Sequence, residues 1–191
     1  MPRLLLVALV LSLLVPFAQA QERETPRAEG ARALLFQIGP NVNLRSLDGA
    51  TLSYKRHTSA ERALRVGVTA NAFADFVTED GGGDRQIVDL AATLLALRYY
   101  TSDSPVALYT GIGPVATFRF DRVVSGDQTV SGVSGGGGVA GLVGVEWTVA
   151  EAISLIAEYG QSLTVEYADN PDTVRVRFFP TGARLGVSVY F

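Results

Sequence analysis

Apolar residues alternate with small or polar residues along most of the chain beyond residue 31. In the last segment, residues 183–191, the odd positions hold Ala, Leu, Val, Val and Phe, and the even positions hold Arg, Gly, Ser and Tyr. Because successive side chains of a β-strand point to opposite faces, this period of two predicts a strand with one apolar face. The same pattern predicts seven further strands, near residues 34–44, 51–56, 64–73, 88–100, 108–120, 139–149 and 153–167.

Two of these segments are less regular than the others. Over residues 88–100 the alternation is kept only if the parity slips near Leu94 and Leu95, which predicts a β-bulge there. The segment at residues 51–56 is short. We still count both as strands, so the sequence predicts eight.

The predicted connections differ in length from one end of the strands to the other. Strands two and three, four and five, and six and seven are joined by short turns near residues 58–60, 101–105 and 150–151. Longer loops are predicted at residues 78–86 and 121–136, an intermediate one at 168–172, and a link at 45–50 that does not stand out. Short turns at one end and longer loops at the other are typical of outer-membrane barrels.

The alternation does not by itself say which face points inward. A soluble, lipocalin-like barrel has its apolar face inside and its polar face in water. A water-facing surface normally carries many Lys and Glu residues, whereas this polar face is mostly Gly, Ser, Thr and Asn, and the chain has a single Lys, Lys55. Small residues suit the narrow interior of an eight-stranded barrel, and closure pairs every backbone group within a bilayer. The sequence therefore predicts an all-β fold, an eight-stranded antiparallel up-and-down transmembrane β-barrel.

Aromatic residues at two levels of the predicted barrel favour the same orientation. Membrane barrels carry lipid-facing aromatic girdles near both ends of their strands, although aromatic residues also favour strands in general. We predict one girdle at the short-turn end, from Phe36, Tyr54, Tyr99 and Trp147, and one at the loop end, from Phe118, Phe120, Tyr167 and Phe179.

Residues 1–20 are predicted to be a secretory signal peptide. They contain the basic Arg3, an apolar run over residues 4–15 and a final Ala18-Gln19-Ala20. The alternative is a membrane anchor, but the apolar run is short for a span, and the polar residues that follow favour cleavage. Residues 21–31 carry charges of both signs without a pattern, which predicts a disordered periplasmic tail before a barrel domain at residues 32–191.

Composition and charge exclude several classes of function. The 191 residues include 16 basic and 19 acidic side chains, a net charge of -3. No basic surface is therefore available to neutralise phosphates, and we expect no nucleic-acid partner. The absence of Cys rules out disulfides, thiolate catalysis and Cys-ligated metals. We expect no cofactor.

At the C-terminus the chain resembles the small eight-stranded outer-membrane barrels of Gram-negative bacteria, the OmpA- and OmpX-type superfamily. Leu185, Val187, Val189 and Phe191 match the alternating, aromatic-ended segment that is recognised during assembly of such barrels. The resemblance implies a location in the outer membrane of the Gram-negative envelope, contact with its lipid, and the barrel-assembly machinery and periplasmic chaperones as partners during biogenesis. We expect no peptidoglycan-binding domain after the barrel.

Charged residues on the predicted inner face are the main candidates for a site. They are Arg65, Asp89, Arg98, Arg119, Glu146, Glu158 and Arg184. An unpaired charge in a narrow lumen is costly, so we predict that they form a salt-bridged plug, and that neutralising Arg98 or Arg184 alone destabilises the barrel. The alternative is a gated ion path through rearranged pairs, although eight strands leave little lumen for a pore.

Enzymatic and metal sites have weak support in the sequence. A lipid-modifying barrel enzyme would need a base near the outer leaflet, but the one His, His57, is predicted to be a solvated residue at the short-turn, periplasmic end. The acidic loop at residues 79–84 lacks the spacing of a calcium loop, and Gly135–Gly138 resembles no phosphate-binding loop. Neither catalytic nor metal-binding residues are predicted, and the glycines are expected to loosen a long loop.

The sequence thus favours a non-enzymatic outer-membrane protein whose barrel has a structural role in the envelope and whose loops serve surface contact or adhesion. A narrow, porin-like channel or small-solute conduit is the alternative. A soluble periplasmic ligand-binding barrel is the third possibility. The partner of the loops is not indicated by the sequence.

Overall fold

A computed structural model describes residues 26–39, 49–75, 84–100, 104–125, 128–169 and 172–191. The predicted signal peptide, residues 21–25 of the predicted tail and most of the acidic loop at 79–84 lie outside the described residues. The described chain forms eight strands: β1 (Arg32–Ile38), β2 (Ala50–Ser59), β3 (Arg62–Asp75), β4 (Asp84–Tyr99), β5 (Val106–Ser125), β6 (Gln128–Ala150), β7 (Ile153–Asp169) and β8 (Asp172–Tyr190).

The eight strands close into one antiparallel barrel in chain order. Each strand pairs with the next, and β1 also pairs with β8, from Ala33↔Tyr190 to Ile38↔Leu185. The predicted eight-stranded up-and-down barrel is confirmed. No helix in the described part of the chain is long and apolar enough to span a membrane.

The two faces of the barrel differ sharply in polarity. Large apolar side chains lie on the outside, among them Ile112, Leu163 and Leu185, which are 52–63% exposed. Side chains on the inner face are mostly polar, small or ionised. An apolar surface of this extent destabilises a protein in water but suits lipid, and the closed ring leaves no strand edge unpaired within the bilayer. The barrel therefore has the surface of a membrane-spanning protein.

Strand β4 has no bulge, contrary to the prediction. Its pairing with β3 runs without interruption from Arg62↔Arg98 to Asp75↔Arg85. The parity never slips, so Leu95 and Leu97 point inward and are buried. The sequence pattern was misleading because the barrel interior at this level contains an apolar cluster that accepts leucines.

Within the long loop predicted at residues 121–136, residues 121–125 and 128–136 are regular parts of two strands. β5 and β6 continue pairing up to Ser125↔Gln128, and β7 and β8 do the same up to Asp169↔Asp172. β5 has 20 residues and β6 has 23, whereas about 9–11 residues cross a bilayer. The paired residues 119–125 and 128–134, here named the projecting hairpin, therefore extend beyond the membrane at the loop end.

Residues 26–31 are ordered against the short-turn end of the barrel, although the sequence placed them in a disordered tail. The Gly30 amide donates a hydrogen bond of 2.9 Å to the His57 carbonyl oxygen, and the His57 amide donates one of 2.8 Å to the Ala31 carbonyl oxygen. The buried Arg27 side chain donates to the carbonyl oxygen of Ser104. These bonds hold the segment across the barrel mouth, which charge pattern alone does not reveal.

Gly138 allows two strands to approach closely inside β6. A Cβ atom at Gly138 would lie 1.9 Å from the Leu163 carbonyl oxygen of β7, whereas a Cβ atom at the neighbouring Gly137 would meet nothing closer than 3.7 Å. The glycine run that we expected to loosen a loop therefore lies within a paired strand. At Gly138 it permits a backbone contact that other residues would prevent.

We predict that Gly138→Ala destabilises the folded barrel by about 1–3 kcal/mol, because the backbone of β6 or β7 must shift to admit the methyl group. Gly137→Ala is the matched control on the same strand and should unfold like the wild type. Urea unfolding in lipid vesicles, followed by the fluorescence of Trp147, measures both. Equal unfolding midpoints for the two variants would contradict the close approach.

Candidate functional site

The candidate site is the barrel interior, which divides into two parts. The half near the short turns is filled by buried side chains, most of them polar and paired. The half near the loops encloses an open cavity. Two buried carboxylates, Glu146 from β6 and Glu158 from β7, organise the filled half.

Glu146 is the centre of the first group, here named the Glu146 cluster, which also contains Lys55, Tyr99 and Tyr190. Lys55 Nζ lies 2.9 Å and 2.8 Å from the two carboxylate oxygens. The Tyr99 hydroxyl donates to Oε2 at 2.8 Å, and the Tyr190 hydroxyl donates to Oε1 at 2.5 Å. Each oxygen accepts two hydrogen bonds. Lys55 therefore neutralises the fully buried negative charge, and every carboxylate oxygen has its hydrogen-bond donors.

His57 is buried beside the Glu146 cluster, so the prediction of a solvated turn residue was wrong. Its ring lies 5.2 Å from the Tyr99 ring and 6.0 Å from the Tyr190 ring, measured between centroids. β2 is longer than predicted and continues to Ser59. His57 therefore follows the inward parity of Lys55, and its backbone is hydrogen-bonded to Gly30 and Ala31 of the ordered segment.

Glu158 is the centre of the second group, the Glu158 cluster, with Arg65, Gln37 and Tyr109. Gln37 Nε2 donates to Oε2 at 2.7 Å, and Arg65 Nη2 lies 3.2 Å from the same oxygen. Arg65 Nη1 and the Tyr109 hydroxyl both donate to Oε1. A bidentate guanidinium and two neutral donors thus surround this buried carboxylate.

Apolar and aromatic side chains fill the space between the two clusters. Leu35, Leu95, Leu97 and Ile156 are each no more than 3% exposed. The Tyr99 and Tyr109 rings, one from each cluster, lie 5.0 Å apart between centroids. The described residues therefore leave the short-turn half of the barrel densely packed.

The structure brings together only part of the predicted charge set. Arg65 pairs with Glu158. Arg119 Nε lies 3.5 Å from Asp89 Oδ1, with both side chains more than one third exposed, which makes this a weak surface-type pair. Glu146 pairs with Lys55, which the prediction did not include.

Arg98 lies outside the barrel, contrary to its predicted place in the lumen. Its guanidinium carbon is 5.7 Å from the centroid of the exposed Tyr100 ring. The cause is the uninterrupted register of β4, which turns even-numbered residues outward at this end. The predicted loss of stability on neutralising Arg98 depended on an inward position and no longer follows.

The site residues that the prediction missed are Gln37, Lys55, Tyr99, Tyr109 and Tyr190. All share the inward parity of their strands, and that parity was the available signal. Their polar groups sit on long or aromatic side chains, which we had assigned to the girdle or left unassigned. Tyr99 in particular points into the lumen and is 2% exposed, so its assignment to the girdle was wrong.

Most other members of the predicted girdles lie on the outer face. Phe36, Trp147 and Tyr167 are about half exposed, Tyr54 and Phe118 somewhat less, and Phe120 is partly buried. The side chain of Phe179 lies outside the described set. Leu185 and Val187 also point outward, while Val189 and Phe191 are partly buried; the role of these four residues in assembly stays a prediction.

The loop half of the interior contains a cavity of about 310 Å³, here named the vestibule. Its walls carry Thr51 and Thr69 low in the barrel and Asp89, Arg119 and Glu166 nearer the loops. A further space lies above it, between Arg119, Glu166, Arg175 and the projecting hairpin. In the described residues no group of three or more His, Asp or Glu side chains is placed to hold a metal ion.

No model of a known protein family matches the sequence, and no curated protein matches it. Solved structures are similar in fold. A major outer membrane protein from Thermus thermophilus is 14% identical, covering 85% of this chain and 99% of that chain with a TM-score of 0.55. Ail of Yersinia pestis, the attachment invasion locus protein, is 16% identical over 85% and 99% of the two chains, with a TM-score of 0.48. The first similarity shows the fold of small outer-membrane β-barrels.

We predict that Lys55→Met destabilises the barrel by about 3–5 kcal/mol, because it leaves the buried Glu146 charge without its cation. The double variant Lys55→Met/Glu146→Gln should recover most of this loss, since the neutral Gln amide can accept from one of the two tyrosine hydroxyls and donate to the oxygen of the other. Urea unfolding in vesicles measures the free energy of unfolding of the wild type, of Lys55→Met and of the double variant.

Arg98→Gln is the control for these two variants. It removes a cation from the outer surface and should change the free energy of unfolding by no more than about 0.5 kcal/mol. A double variant as unstable as Lys55→Met alone would contradict the role given to the ion pair.

Proposed function

We propose that this protein is a non-enzymatic outer-membrane barrel that anchors a surface structure and is closed to solutes. The observation that carries the proposal is the filled short-turn half of the lumen. Two buried carboxylates are saturated there by partners from the facing and neighbouring strands, and apolar side chains occupy the space between them. Such an interior suits a rigid support better than a pore.

The loop end supports a role in contact. The projecting hairpin extends past the bilayer while β1 ends at Ile38 and β2 begins at Ala50 in the described chain. Val123 and Val130 are paired across the hairpin and are 37% and 59% exposed. This exposed apolar pair also lines the space above the vestibule. It favours binding to another surface at the loop end, because its burial removes it from water.

A channel would carry ionic current through the folded protein, whereas the proposed anchor would carry none. We expect no stepwise conductance in planar bilayers at high salt, because the Glu146 and Glu158 clusters fill the lumen at the short-turn end. Heat-unfolded protein at the same concentration is the control for leakage. Reproducible unitary steps from the folded form alone would favour the channel instead.

The contact role predicts a specific effect of shortening the projecting hairpin. Replacing residues 122–131 by Asn-Gly keeps the Asp121↔Gly132 pair and provides a two-residue turn. We expect the variant to insert normally into the membrane. Fewer cells that express it should attach to the surface to which cells expressing the wild type attach, as measured by counting attached cells.

Epitope tags supply the controls for the hairpin experiment. A tag between Ser125 and Gln128 should be labelled on intact cells, whereas a tag in the short turn after Ser59 should be labelled only after the outer membrane is opened. Unchanged attachment by a correctly inserted short variant would refute the contact role. Labelling of both tags on intact cells would refute the proposed orientation.

A further inference from the structure

Among the described side chains that line the vestibule, positive charges outnumber negative ones. Among the side chains that line it are four arginines and three carboxylates: Arg65, Arg119, Arg177, Arg184, Asp89, Glu158 and Glu166. Three of the arginines have a carboxylate partner. Arg65 pairs with Glu158, Arg119 with Asp89, and Arg177 with Glu166 at 3.1 Å.

Arg184 is the cation that remains. It lies directly across from Glu158 in the pairing of β7 with β8, but both oxygens of Glu158 already accept hydrogen bonds from Arg65, Gln37 and Tyr109. Within the described chain, no carboxylate oxygen lies within 4.0 Å of the Arg184 guanidinium. Its charge is partly buried in the barrel and is balanced only at longer range.

A second observation concerns Arg65, which lines the same cavity and is 4% exposed. Its two terminal nitrogens bind Glu158, but its Nε–H has no acceptor among the residues that the structure describes. Thr117 lines the vestibule as well, and its buried hydroxyl also lacks a partner. Buried donors without acceptors are rare in folded proteins, and they indicate a site that a ligand or ordered water completes.

We propose that the vestibule binds a small oxyanion, a carboxylate, phosphate or sulfate group, with the Arg184 guanidinium as its anchor. Guanidinium groups present a planar fork of donors that matches oxyanions in two parallel hydrogen bonds. An anionic group would balance the charge of Arg184, and it would bring acceptors into the cavity that the unpaired donors of Arg65 and Thr117 also line. The cavity of about 310 Å³ has room for such a group together with several waters. Entry is from the loop end, because the Glu146 and Glu158 clusters fill the other end.

The guanidinium N–H signals provide a direct test. Wild-type protein, folded in detergent micelles and labelled with ¹⁵N, is titrated with sodium sulfate, inorganic phosphate or sodium acetate at constant ionic strength, with chloride as the reference salt. We expect the Nε–H resonance of Arg184 to shift and saturate with at least one oxyanion, while that of the outward-facing Arg122 does not. Preference for acetate over sulfate and phosphate would assign the site to a carboxylate, and the reverse to a tetrahedral anion.

Variants separate binding from folding. Arg184→Gln should weaken the binding, followed at the Arg65 Nε–H signal, by about tenfold or more, as expected for loss of a charge-assisted contact. Arg184→Lys keeps the charge and should retain part of the affinity, and Arg122→Gln should bind like the wild type. A heat-dependent change in gel migration shows that each variant is folded. Shifts that do not saturate, or that are the same with chloride or in Arg184→Gln, would overturn the proposal.

Discussion

Neutralising carboxylates inside a closed, eight-stranded ring is the constraint on which the rest of this molecule depends. The lumen is too narrow to hydrate Glu146 and Glu158 as bulk water would, so each needs a cation and neutral donors from the facing strands. Lys55 and Arg65 supply the charges, and three tyrosines and Gln37 supply the remaining donors. The same requirement explains why the short-turn half is filled, whereas the open cavity extends toward the loops, where Asp89 and Glu166 are more exposed than Glu158.

The sequence predicted well which side chains of each strand point outward and which point inward, because the lipid and the lumen differ strongly in polarity. Alternation assigned Ser188 and Glu158 inward and Leu163 outward, as observed. It failed at β4, where Leu95 and Leu97 face the interior, because the lumen accepts apolar residues at one level. Parity also could not show which strands face each other across the barrel. The partnership of Lys55 with Glu146 therefore required the three-dimensional register.

Connections were predicted less well than strands. Gly, Ser and Asp between residues 121 and 136 indicate a loop by composition, yet the ladder with neighbouring strands keeps residues 121–125 and 128–136 extended. Small residues are compatible with both structures, and the choice between them is made by pairing partners distant in the chain. The same holds for residues 26–31, whose order depends on backbone bonds to His57.

The partners of the two buried ion pairs come from opposite halves of the chain. Lys55 and Glu146 are separated by 91 residues, and Arg65 and Glu158 by 93. A membrane-inserted fragment that ended after β4 would therefore expose both cations to lipid with no anion available. Insertion strand by strand has a steep electrostatic cost until β7 arrives, whereas joint entry of all eight strands avoids it. The internal salt bridges thus favour a concerted route into the membrane and make half-inserted intermediates short-lived.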